Sequence, residues 1–95
     1  MDGVEKNALK KVLYFTAAWC PPCKMIAPIF ENMSKAYDKT NFVKIDIDNC
    51  PEAAEKYGIS SVPTFIFMNG ATQMSQFTGA NEATLKQKVE ELDKI

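Results

Sequence analysis

The stretch "AAWCPPCK", Ala17 to Lys24, sets two thiols three residues apart with only Pro21 and Pro22 between them. Cysteines at this spacing serve a dithiol–disulfide couple, half of a zinc site, or a static crosslink. Zinc needs further ligands, and the chain has 3 cysteines and no histidine, so a metal would need a second chain. A static disulfide across so small a ring removes little chain entropy, and a reducing compartment would open it. The redox couple uses both thiols. Cys20 precedes Pro21, a residue suited to the first helical position, so it falls at a helix N-cap. There the free N–H groups and the helix dipole favour a thiolate. Cys23 follows one turn later, within reach of disulfide closure. The two prolines fix two φ angles, which lowers the entropy lost on closing. They also remove two donors, leaving the N–H of Cys23 as the first available to Cys20. These effects move the redox balance in opposite directions, and the sign of their sum stays open.

The elements that must hold this pair are legible in the hydrophobic pattern. Asp2 with Glu5 three positions on has the form of a capping box, predicting a short helix to about Lys10. "VLYFTA", Val12 to Ala17, is apolar, β-branched and aromatic, and reads as a buried strand. From Pro21, Ile26, Ile29, Phe30, Met33 and Tyr37 recur at helical spacing, so a long amphipathic helix follows, with a kink expected at Pro28. "FVKIDI" from Phe42 is a second strand, parallel to the first because a helix joins them. Pro51 opens a short helix that Gly58 ends. "TFIFM", Thr64 to Met68, and "SQF", Ser75 to Phe77, flank Asn69-Gly70 and predict an antiparallel hairpin. Asn81 can cap a last helix carrying Leu85, Val89 and Leu92 on one face. The predicted order is αβαβαββα.

Composition narrows the partners. With 95 residues and 46% apolar content, residues 1–95 make one domain, and no repeat or linker divides them. A net charge of −1 from 11 basic and 12 acidic residues mixed along the chain gives no field for gripping nucleic acid or an anionic membrane. The N-terminus "MDGVEKNALKK" has no apolar signal core, and no window approaches the ~18 apolar residues of a membrane span. A cytoplasmic protein without a membrane segment is expected.

"WCPPCK", "KYGISSVPTF" and "NG…FTGAN", in this order and spacing, make the chain from Lys11 onward resemble the thioredoxin family. The resemblance implies an α/β thioredoxin fold, with a central mixed four-stranded sheet flanked by helices on both faces. It implies a protein thiol-disulfide oxidoreductase that needs no cofactor, acts on protein disulfides, and draws electrons from a reductase or a low-molecular-weight dithiol. By the same resemblance Cys20 is the attacking thiol and Cys23 the resolving thiol. Trp19 and Pro63, with Val62 before it, form the surface that receives the substrate chain, Pro63 is cis, and Lys44 lies beneath the site. The sequence departs from the family at Pro21, where glycine is usual, and "YFTAAWCPPC" is locally similar to tryparedoxin and nucleoredoxin. It departs at Tyr14, which stands where the family keeps a buried aspartate that assists the resolving cysteine. The family's first strand has no counterpart, which leaves "FVKIDI" as a sheet edge that the N-terminal segment could cover or where two chains could join. Lys44 and the aspartates at 46 and 48 would blunt that edge.

Simpler roles stand beside these. Trp19 also fits a core aromatic, Pro63 an ordinary strand-entry proline, and Lys44 a strand residue with a solvated head. Cys50 reads first as a small buried residue beside Pro51, and second as a regulatory thiol. The methionines read as packing. Two other functions compete with the oxidoreductase. A glutathione-dependent glutaredoxin-like reductase would want a Gly-Gly pair, where "FMNGATQ" offers one glycine. A binding module would use the surface around Trp19 and Pro63 and leave the thiols idle.

Overall fold

The computed structural model describes residues 10–94. Its elements run β1 (Lys10–Thr16), α1 (Pro21–Ala36), β2 (Asn41–Asp46), α2 (Pro51–Lys56), β3 (Thr64–Asn69), β4 (Thr72–Thr78) and α3 (Glu82–Asp93). The expected N-terminal helix and its Asp2–Glu5 box lie outside the described residues. Lys10, the expected end of that helix, instead opens β1 and pairs with Asn69.

The strands lie in the order β2-β1-β3-β4. β2 is parallel to β1, with Tyr14 opposite Lys44 and Thr16 opposite Asp46. β3 runs antiparallel to both β1 and β4. The central strands β1 and β3 are apolar on both sides because both sides are covered. Val12, Tyr14, Phe65 and Phe67 pack against Ile26, Phe30 and Met33 of α1 and Leu85, Val89 and Leu92 of α3. Leu13, Phe15, Ile66 and Met68 face Ala53 of α2 and the following Tyr57, Ile59 and Val62. Among the described residues, two helices therefore cover one face and one short helix the other. Among the described residues β2 pairs only with β1.

The helix ends obey local chemistry. Pro21 and Pro22 fill the first two positions of α1, which runs unbroken through the exposed Pro28. The residue after α1, Tyr37, donates its N–H to the carbonyl of Met33 at 2.9 Å. α2 closes with Gly58 at φ +66°. The N–H of Gly58 reaches Glu55 O at 3.2 Å and that of Ile59 reaches Ala54 O at 2.8 Å, the paired bonds that a left-handed glycine makes available after a helix. The Asn81 side chain accepts the N–H of Thr84 at 3.0 Å and starts α3.

The hairpin differs from expectation by one position. Asn69 is still in β3 and pairs with Thr72, so the two-residue loop is Gly70-Ala71. Gly70 has φ +66° and no non-glycine residue has a positive φ, which is the hairpin turn with glycine first. β4 extends well beyond Ser75–Phe77, because its polar residues stay exposed while Phe77 packs on the core. The register slips between Phe67 and Met68, which leaves Met74 without a partner as a bulge.

Candidate active site

β1 ends at Thr16, and four residues later Cys20 caps α1, so the thiol pair sits at the carboxyl end of the central strand β1. Cys20 and Cys23 are joined as a disulfide, with their Cα atoms 5.3 Å apart, within the span a disulfide bridges. The N-cap backbone of Cys20 is extended (φ −96°, ψ 106°). Its Sγ accepts the N–H of Cys23 at 3.3 Å. Because Pro21 and Pro22 bring no N–H, the first donor of this helix is aimed at the Cys20 sulfur. In the disulfide state both cysteines are only 2% exposed and pack with Ala17, Ile47 and Val62. The carbonyl oxygen of Val62 lies 3.6 Å from Cys20 Sγ.

The Val62–Pro63 bond is cis. The Pro63 ring itself is fully buried, and its carbonyl accepts the N–H of Gly79 at 2.9 Å. Pro63 thus stands behind Val62 at the place the resemblance implies, with its ring packed inward. The accessible flank at this point is Ser61 and the half-buried Val62. Trp19 is 64% exposed, which removes the core-aromatic reading. It is nevertheless held, since its Nε1–H donates to Asp48 Oδ2 at 2.9 Å.

Tyr14 is buried beneath the pair, stacked on Phe65 at 5.0 Å between centroids and tilted against Phe30 at 4.7 Å. Its phenol donates to the carbonyl oxygen of Cys23 at 2.9 Å. Burial pushes the phenol above its ordinary pKa, more than a hydrogen bond with Thr16 lowers it. Tyr14 thus ties β1 to the first turn of α1 and has no base to offer near neutral pH.

Lys44 lies across the β1–β2 ladder from Tyr14 with an exposed side chain. It lines a cleft of about 190 Å³ that opens beside Cys23, walled by Tyr14, Thr16, Lys24 and Asp46 among others. The sequence reading gave Asp46 and Asp48 only an edge-blunting role, yet one closes this cleft and the other holds Trp19. Alternation along "FVKID" was the available signal, since it puts Phe42, Lys44 and Asp46 on the face that carries Tyr14.

Cys50 is corrected from buried to exposed, and its thiol is free. Its N–H bonds to the carbonyl of Asp46 at 2.8 Å, so the turn before α2 runs over the surface. Its side chain caps nothing in α2. Among the described residues no group of three or more histidine, cysteine or carboxylate side chains gathers as a metal site, and no helix is long and apolar enough to cross a membrane.

Comparison with known proteins agrees with this geometry. The Thioredoxin family profile matches residues 2–91. Thioredoxin of Ictalurus punctatus is 46% identical over 88 residues, spanning 88% of this chain and 82% of that protein. Thioredoxin 1 of Plasmodium falciparum is 42% identical over 87 residues, spanning 92% and 83%. The X-ray structure of Fasciola hepatica thioredoxin superposes with a TM-score of 0.87 at 36% identity, covering 93% of this chain and 86% of that one. A vicinal cysteine pair on the first helix of a four-stranded mixed sheet is thus matched by whole-length similarity in sequence and in structure. The chain belongs to the thioredoxin family and is a thiol-disulfide oxidoreductase.

Proposed function

We propose that Cys20 is the attacking thiol and Cys23 the resolving thiol in the reduction of disulfides in other proteins. The supporting observation is the asymmetry of the pair. Cys20 sits at the helix N-cap with a backbone N–H directed at its sulfur at 3.3 Å, while Cys23 lies within the first turn. A thiolate is stabilised by that donor and by the helix dipole, so Cys20 ionises first. The Cys20 thiolate attacks one sulfur of the target and releases the other as a thiolate. The Cys23 thiolate then attacks Cys20 Sγ, forming the intramolecular disulfide and freeing the second target sulfur, so two electrons pass to the target. The exposed Trp19, steadied by Asp48, and the Val62 backbone form the docking surface beside the sulfurs.

The electron donor is a reductase or a low-molecular-weight dithiol, the setting is the cytoplasm, and two chains pair weakly through the β2 edge. Insulin reduction tests the central claim. Cys20→Ser abolishes it, whereas Cys23→Ser accumulates covalent mixed disulfides with the target, visible on non-reducing gels. Alkylation of Cys23 ahead of Cys20 in the reduced protein overturns these roles, and no reduction by the parent leaves the binding module as the better reading. Thioredoxin reductase, glutathione and trypanothione, assayed in parallel, identify the donor class and separate out a glutaredoxin-like reductase.

A further inference from the structure

Resolution of the mixed disulfide requires Cys23 to lose a proton. Its ordinary thiol pKa is ~8.5, so near pH 7 a nearby acceptor governs how often the thiolate exists. Tyr14, the residue directly beneath Cys23, already donates its proton to the Cys23 carbonyl and has a raised pKa, so it is not that acceptor. The cleft beside Cys23 has one carboxylate in its wall, Asp46, on the last residue of β2. At about 190 Å³ the cleft holds several waters, since a single water needs only ~10–15 Å³ of such space and polar partners. Polar groups are present on three sides: Tyr14 and Thr16 from β1, Lys24 from α1, and Lys44 and Asp46 from β2.

Geometry separates Asp46 from the other carboxylate nearby. Asp48 lies outside the cleft wall, and its Oδ2 is taken by the Trp19 indole at the rim. Asp46 uses Oδ1 to accept the N–H groups of Asp48 at 2.9 Å and Asn49 at 3.4 Å. Those bonds fix its side chain at the mouth of α2. Its Oδ2 has no protein partner among the described residues, and no lysine closes on it there. The register puts Asp46 opposite Thr16, two residues nearer the sulfurs than the Lys44–Tyr14 pair.

We infer that Asp46 is the proton acceptor for Cys23, acting through water in this cleft. The Cys23 S–H proton passes through water to the Asp46 carboxylate, and the Cys23 thiolate attacks Cys20 Sγ. The Cys20–target S–S bond breaks, and the departing target thiolate takes up a proton from solvent. Lys44 and Lys24 line the same space. This inference rests on the proposed roles of Cys20 and Cys23.

Reaction of the reduced protein with 5,5′-dithiobis(2-nitrobenzoate) reads both steps in one trace. Attack by Cys20 releases one coloured thiolate and resolution by Cys23 a second. The exposed Cys50 is removed by working in Cys50→Ser. Asp46→Asn keeps the Oδ1 acceptor for Asp48 and Asn49 and is checked for an unchanged melting temperature. In that variant the first phase stays within about twofold of the parent, while the second slows by about tenfold at pH 6.5. The deficit narrows as pH rises and hydroxide takes the Cys23 proton directly, and added formate restores part of the rate through the open cleft. An unchanged second phase, or equal slowing of both phases at every pH, overturns the inference. A parent trace whose first phase survives Cys20→Ser instead overturns the assignment of the thiols.

Discussion

Tyr14 shows how one side chain serves both core and site. Its ring fills space between Phe30 and Phe65 while its phenol anchors the first turn of α1. Tyr14→Phe keeps the ring and loses the bond to the Cys23 carbonyl, so urea unfolding at pH 7 should show a loss of about 0.5–1.5 kcal/mol. Tyr14→Asp, which puts a carboxylate in the same place, gives up the ring contacts as well and should cost about 3 kcal/mol or more. The raised phenol pKa also sets a pH dependence. The folded protein holds this proton more tightly than the unfolded chain does. The corresponding stability is complete below about pH 10, the unfolded value, and is lost as pH rises through the higher folded value. Melting temperatures between pH 8 and 11 should fall more steeply for the parent than for Tyr14→Phe. Equal slopes would mean that the phenol is not protected by burial.

At the scale of elements, the site depends on where helices start and stop. The proposed activation of Cys20 rests on α1 beginning at Pro21, and the approach of Val62 to the sulfur depends on how the chain leaves α2. Gly58 turns that exit at φ +66°, and a methyl group there would meet nothing within 4 Å. Gly58→Ala therefore bears only the left-handed backbone penalty, about 1–2 kcal/mol. Asn81→Ala removes the bond to the Thr84 N–H and should cost about 0.5–2 kcal/mol. Asn81 is remote from the thiols, so its variant should keep the parent's reactivity toward disulfides below its melting temperature. Gly58→Ala should slow insulin reduction where Asn81→Ala does not, since relief of the strained φ at position 58 would fall on the segment that carries Val62. Equal rates would show that the exit of α2 does not set the approach to Cys20.

At the scale of the molecule, the sheet is covered unequally. Among the described residues, α1 and α3 seal one face, α2 shields the other, and the outer side of β2 pairs with no strand. Such an edge pairs with other strands unless charge blunts it. The outward charges here are sparse: Lys44 is exposed and Asp46 is half turned into the cleft. Light scattering should show an apparent mass that rises with concentration. A monomer at every concentration would mean that another segment covers the edge.

Much of the fold was written in local pattern. The apolar runs of β1 and β3, the helical spacing of Ile26, Phe30 and Met33, and the caps at Cys20, Gly58 and Asn81 all act within a few residues, so sequence suffices to read them. The same holds for the thiol pair, whose chemistry follows from a helix start and a three-residue spacing. Elsewhere the decision lay with tertiary structure. The exposure of Trp19 and Cys50, the burial of the Pro63 ring and the one-residue shift of the hairpin turn depend on which surface the neighbouring segments leave open. Asp46 is the clearest case. In sequence it is one acidic residue in a strand, and nothing within local range marks it as a neighbour of the thiols. Parallel pairing places it opposite Thr16, and α1 lays Cys23 over the same cleft, 23 positions away along the chain. Composition and periodicity determine which residues form strands and helices; the register between distant segments determines which of them share a site, because that register is set by burial of the whole core at once.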